Sequence, residues 1–176
     1  MTKSSVGRSN TPSAAELPAD FTDFVHALNA NGVEYLLVGG YAVGVHGYLR
    51  ATADIDFFYR RTPENVTRVL AALAEFGAPP VVFDRAHLET ADVVTAFGQP
   101  PMRIDLLSGI SGVTFDDALD GSLRIHVGGD VVPVIGLRAL LANKEASGRP
   151  KDRLDLEQLG GASMSKSTNS PRKKRR

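Results

Sequence analysis

The feature that most constrains this chain is a short, mainly apolar run, Val33 to Val38, that ends in Gly39-Gly40 and is followed after 13 residues by Asp54-Ile55-Asp56. The run reads as a strand, and Gly39-Gly40 leading into Tyr41-Ala42-Val43 reads as a tight turn opening a helix. Ala53 to Tyr59 reads as a second strand. Side chains alternate along a strand, so Asp54 and Asp56 share one face while Ile55 and Phe57 share the other, with the two aspartate Cα atoms roughly 6 to 7 Å apart. Like charges at that spacing raise each other's pKa unless a cation lies between them. Mg²⁺, or Mn²⁺ in its place, is the natural partner, because it prefers carboxylate and phosphate oxygens. Asp105, within Arg103-Ile104-Asp105-Leu106-Leu107, is a third acid among apolar neighbours, an unusual setting for a carboxylate. Three such acids can hold two metals. Gly39-Gly40 adds backbone N–H groups with no side chain in the way, which is how a chain binds phosphate.

Charge narrows the partners. The whole chain is formally neutral, but Asp20 to Gly160 carries 12 basic residues against 19 acidic ones. An acidic body is a poor general surface for nucleic acid, whose binding depends on phosphate neutralisation, and it suits a site that gathers divalent cations. The apolar stretch Val131 to Ala142 is interrupted by Pro133, Gly136 and Arg138 and falls short of the roughly 20 residues of a membrane span. There is no cysteine, and the first residues lack the apolar core of a secretory signal. The expectation is a soluble, cytoplasmic protein without a membrane partner.

Residues 1–19 and the basic stretch 161–176 read as disordered, leaving one domain over 20–160. Within it, Asp20 is expected to cap a helix that stops at Asn31-Gly32, and Thr62-Pro63-Glu64 opens one that ends at Phe76-Gly77. Strands are expected at Pro80 to Phe83 and Met102 to Leu107, with no assignment between them. Leu123 to Val127 and Val131 to Ile135 flank Gly128-Gly129-Asp130 as a β-hairpin. Two helices follow, separated by Gly148-Arg149-Pro150. The expected fold class is α/β (α+β), a mixed sheet with helices packed on it.

Taken together, Val38-Gly39-Gly40, Asp54-Ile55-Asp56-Phe57 and Ile104-Asp105-Leu106 resemble the signature of the nucleotidyltransferase superfamily, the group that includes DNA polymerase β and the CCA-adding enzymes. The likeness is closest to the short bacterial branch related to AbiEii-type toxins. It extends to Arg-Ala-Thr-Ala before the acids and to the late run Lys144 to Leu156. The resemblance implies transfer of a nucleoside monophosphate from an NTP to an acceptor hydroxyl, with release of pyrophosphate and two-metal catalysis by Asp54, Asp56 and Asp105. It further implies that Gly39 and Gly40 hold the triphosphate, that Arg50 and Thr52 touch phosphate or flank the metals, and that Lys144, Lys151, Asp152 and Asp155 border the nucleotide pocket. The acceptor is left open among RNA, a protein and a small molecule, and the toxin likeness adds an antitoxin as a candidate partner.

Plainer readings stand beside these. An Asp-Ile-Asp pair can sit exposed at a sheet edge, and Gly39-Gly40 can be an ordinary turn. The run from Lys144 to Asp155 can be a helix start with local ion pairs, and His46 is a packed or exposed histidine more readily than a ligand. A non-catalytic nucleotide- or partner-binding module and a metal-dependent phosphohydrolase are the alternative functions.

Overall fold

A computed structural model describes residues 18–167, with side chains described as far as Gly160. The helices are α1 (Ala19–Ala30), α2 (Gly39–Val45), α3 (Pro63–Phe76), α4 (Arg85–Glu89), α5 (Phe115–Leu119), α6 (Leu137–Ser147) and α7 (Pro150–Ser167). The strands are β1 (Tyr35–Val38), β2 (Asp54–Tyr59), β3 (Val94–Phe97), β4 (Arg103–Leu107), β5 (Leu123–Val127) and β6 (Asp130–Val134). They form one six-stranded mixed sheet in the order β3-β4-β2-β1-β6-β5. β1 runs antiparallel to β2 and parallel to β6, while β2 and β4 are parallel. This is the mixed sheet with packed helices that the pattern predicts.

Every residue of β1 is buried, as a central strand with both faces covered requires. β2 alternates over its first four residues: Asp54 and Asp56 are partly open and Ile55 and Phe57 fully buried, after which Phe58 and Tyr59 are both buried. Beneath β2 lies an aromatic cluster. Phe24 of α1 meets Phe57, Phe76 of α3 and Phe97 of β3 edge-on, at centroid separations of 5.6, 5.1 and 5.4 Å. Such pairs contribute about 0.5–1.5 kcal/mol each beyond their buried area. The sheet is thus anchored from the α1/α3 side, and the aspartates emerge on the opposite face.

Local signals place several boundaries as expected. The Thr62 hydroxyl accepts from the Asn65 amide at 3.3 Å to cap α3, and Gly77 closes it with φ +77°. Three expectations are corrected. Pro80 to Phe83 is not a strand but a 3₁₀ turn over Pro80–Val82, because Pro79 and Pro80 supply no N–H to a ladder. The third strand lies later, at β3, in the stretch left without assignment. α1 begins at Ala19, with the Pro18 carbonyl accepting from the amides of Phe21 and Thr22, so Asp20 sits in the first turn and is not the cap. In the hairpin, Val127 pairs with Asp130, so the turn is Gly128-Gly129 alone and Asp130 already belongs to β6. α7 is helical to Ser167, and residues 1–17 and 168–176, which belong to the two segments expected to be disordered, lie outside the described residues.

One buried side chain ties three elements together. Asn65, 1% exposed, accepts from the Glu34 amide at 2.8 Å and donates to the carbonyls of Glu34 at 3.0 Å and Arg60 at 2.8 Å. It thereby fixes the start of α3 against the segment leading into β1 and the exit of β2. Replacing it takes the side-chain partner from one N–H and two carbonyls at a partly buried junction. Asn65→Ala is therefore expected to lower stability by about 2–4 kcal/mol, read as a shifted urea midpoint at unchanged slope.

Candidate active site

The three aspartates meet because β2 and β4 pair in parallel, with Asp56 opposite Asp105 and Asp54 opposite Arg103. One carboxylate oxygen from each of Asp54, Asp56 and Asp105 lies within 4.8 Å of the others. Asp105 is buried, whereas the Asp54 side chain is 31% exposed. The donor set is oxygen only and anionic, which fits a hard divalent cation such as Mg²⁺ or Mn²⁺. The trio is short of countercharge, and this registers on Asp56: burial, then the charges of Asp105 and Asp54, push its carboxyl up to about 6. Among the described residues, the one cation in direct contact with the trio is Arg103, whose Nε donates to Asp105 at 2.8 Å while Nη2 reaches the other Asp105 oxygen.

The glycines are there for space. The β1/β2 register puts Val38 opposite Asp56, so Gly39, the next residue, passes directly over that carboxylate. A Cβ on Gly39 would lie 1.9 Å from an Asp56 oxygen, and its φ of +63° already disfavours any side chain. A Cβ on Gly40 would lie 2.7 Å from the Thr52 hydroxyl and 3.3 Å from Nη1 of Arg50. Thr52 in turn donates to the Asp54 carbonyl at 3.2 Å. The turn, Thr52, Arg50 and the acid strand thus form one contiguous surface.

The late cluster is a buried ionic network. Lys144 on α6, 2% exposed, contacts Asp152 at 2.8 Å and Asp155 at 3.0 Å, both on α7 and both fully buried. Arg50 grips Asp155 with two bonds of 2.8 and 3.0 Å, and Arg149 holds Asp152 at 2.7 Å. Burial works to raise the pKa of both aspartates, but hydrogen bonds from Lys144 and Arg149 outweigh it at Asp152, which is held at about 2. Bonds from Arg50 and Lys144 likewise keep Asp155 below the ordinary carboxylate range. Their stabilisation is full above the ordinary carboxylate range and is lost progressively as the pH falls from there through the lowered folded-state values.

These parts surround one cleft of about 670 Å³. It is lined by Gly39, Gly40, Arg50, Thr52, the three acids, Lys144 and Lys151. Asp152 and Asp155 do not line it; they lie beneath and act through Arg50, Lys144 and Arg149. Residues that sequence reasoning did not single out also line it, notably Arg103, Arg149, Asp92 and Asn143. Arg103 alone carried a signal, standing two positions from Asp105 on the same strand face. His46 packs away from this chemistry, with Nε2 2.7 Å from the Ile135 carbonyl.

The raised Asp56 pKa has a defined sign. The folded state holds this proton more tightly than the unfolded chain, so rising pH destabilises the metal-free fold between the ordinary carboxylate value and about 6, with no further change above. In EDTA, Asp56→Asn is expected to be more stable than wild type at pH 7, with the difference closing towards pH 4. Denaturant titrations across that range measure it.

A family described as nucleotidyl transferase of unknown function (DUF2204) matches residues 19–174. No curated protein matches the chain. Among solved structures, the chain is similar to the lincosamide antibiotic adenylyltransferase LnuA in its lincomycin-bound form, at 14% identity and a TM-score of 0.50, covering 82% of this chain and 97% of that one. It also matches ANT(2")-Ia in complex with adenylyl-2"-tobramycin, at 13% identity and a TM-score of 0.48, over 82% of this chain and 87% of that one. At these identities the likeness to LnuA speaks for the fold alone. The family match spans nearly the whole chain, and the chain therefore belongs to this family of nucleotidyl transferases.

Proposed function

We propose that the cleft transfers a nucleoside monophosphate from an NTP to an acceptor hydroxyl, with Asp54, Asp56 and Asp105 as the metal-binding and catalytic carboxylates. The observation that carries this reading is the clustering of three carboxylates from two parallel strands at the floor of a cleft whose rim is basic. In the reaction, the acceptor oxygen bonds to the α-phosphorus, the bond from that phosphorus to the pyrophosphate oxygen breaks, and the acceptor's proton passes to a carboxylate of the trio, for which Asp105 is the candidate. Divalent cations, two in this reading, supply charge neutralisation at the phosphates and activation of the attacking oxygen. The amides of Gly39 and Gly40 receive the phosphates, and Thr52 supports the strand that carries Asp54. Arg50 and Lys144, held in place by Asp155 and Asp152, face the charge that builds on the leaving pyrophosphate, with Lys151 at the rim.

The acceptor that fits best is a small molecule. A cleft of about 670 Å³ is of the size that takes small ligands, and the acidic body works against a polyanion such as RNA. LnuA, which shares the fold, is by its name a lincosamide antibiotic adenylyltransferase and was solved with lincomycin bound. A toxin-type transfer to RNA or protein, with an antitoxin partner, is the second outcome to test.

The donor half comes first. Thermal unfolding with each NTP, with and without Mg²⁺, is expected to show Mg²⁺-dependent stabilisation of roughly 2.7 kcal/mol at about 100 times the dissociation constant. Asp54→Asn/Asp56→Asn is expected to lose it. Labelled NTP then separates the chemistries: label joined to an acceptor means transfer, and free nucleotide alone means a phosphohydrolase. Absence of stabilisation by every NTP would favour a non-catalytic partner-binding module.

A further inference from the structure

Arg103 occupies an unusual place in the trio. It stands opposite Asp54 in the parallel register and two residues before Asp105, so its side chain leaves the sheet on the face that bears the acids. Its fork takes both oxygens of Asp105, and Nη2 also lies 3.5 Å from Asp54. The guanidinium thus stands between the same two carboxylates that a shared cation would bridge. Two-point binding of a carboxylate is the strongest geometry arginine offers. Yet Arg103 is not locked in: its side chain is 43% exposed, and its ion-pair partners among the described residues are only these two acids. Lys144 and Arg50 differ, since both are held by buried aspartates of α7.

We propose that Arg103 is an internal counter-ion that closes the carboxylate trio to free divalent cations and moves onto the phosphates of an incoming metal–nucleotide complex, so that metal and nucleotide bind as one unit. This rests on the reading that the trio binds a divalent cation for nucleotidyl transfer. A cation reaches both oxygens of Asp105 only if the fork opens. A bare cation brings no new anion for the displaced guanidinium. A triphosphate brings oxygens of the geometry that arginine binds best, so the exchange is balanced. Metal and nucleotide then strengthen each other's binding by the same factor, as linkage requires. Arg103 is in this sense a positioning residue.

The test is Mn²⁺ binding to the full chain, followed by the loss of the free-ion EPR signal, alone and with a non-hydrolysable α,β-methylene NTP analogue. Arg103→Gln is expected to bind Mn²⁺ alone about tenfold or more tighter than wild type, a difference of about 1.4 kcal/mol. The analogue is expected to tighten Mn²⁺ binding strongly in wild type and much less in Arg103→Gln, with Arg103→Lys between the two. A merely structural arginine would give the opposite sign, since its loss would loosen the trio and weaken the metal. Equal Mn²⁺ affinity in wild type and Arg103→Gln, or equal enhancement by the analogue, overturns the proposal and leaves the metal site standing. If no form binds Mn²⁺ even with the analogue, the metal reading fails and the proposal with it. Should circular dichroism show that Arg103→Gln is unfolded, Arg103→Lys decides by the same comparison.

Discussion

Pairing β2 with β4 in parallel forces like charges together. The register that seats Ile55 and Phe57 on the aromatic floor, and Ile104 and Leu106 beside them, also sets Asp56 against Asp105 on the opposite face. A shift by one residue would bury the acids and expose the apolar set, so burial on one side enforces repulsion on the other. Everything else at the cleft answers that repulsion. Arg103 neutralises part of it, and the basic rim lowers the field from the other side. Gly39 is bare because the register brings its backbone onto the crowded carboxylate.

The second organising element is the ionic network under the cleft. Burying Lys144, Asp152 and Asp155 together costs desolvation that apolar side chains of the same volume would avoid. What the arrangement provides is fixed direction. Arg50 comes from the loop before β2, and its fork is held by Asp155, 105 positions along the chain. Asp155 thereby converts a flexible cation into one whose remaining nitrogen stays beside Gly40. The network also joins α6, α7 and the acid strand, so the site's charge and the docking of the C-terminal helices are parts of the same structure.

Much of this was legible in the sequence wherever the signal was local. The alternation in Asp54 to Phe57, the Thr62 cap, the Gly77 stop and the glycine hairpin each depend on a few adjacent residues. β3 escaped because it is a four-residue edge strand whose exposed positions are Val94 and Ala96 and whose buried ones include Thr95, an inverted pattern. The apolar run at Pro80 to Phe83 imitates a strand in apolarity alone, since Pro79 and Pro80 leave no N–H for a ladder. At the site, the acids and glycines follow from strand periodicity and the family likeness. The role of Arg103 needs the β2/β4 register, and the burial of Asp152 and Asp155 needs the packing of α7, neither of which adjacent residues encode.

The parallel contact of β1 with β6 has a consequence for how the molecule is made. Leu37 of the central strand pairs with Val134, so the middle of the sheet stays open on one side until almost the whole domain has been synthesised. Closing so long a loop is entropically costly and tends to slow folding. Arg50 waits longer still, because Asp155 leaves the ribosome after β6. The cleft is therefore complete only once α7 has been made, and a nascent or prematurely ended chain carries the acid strand without the network that orients its basic wall.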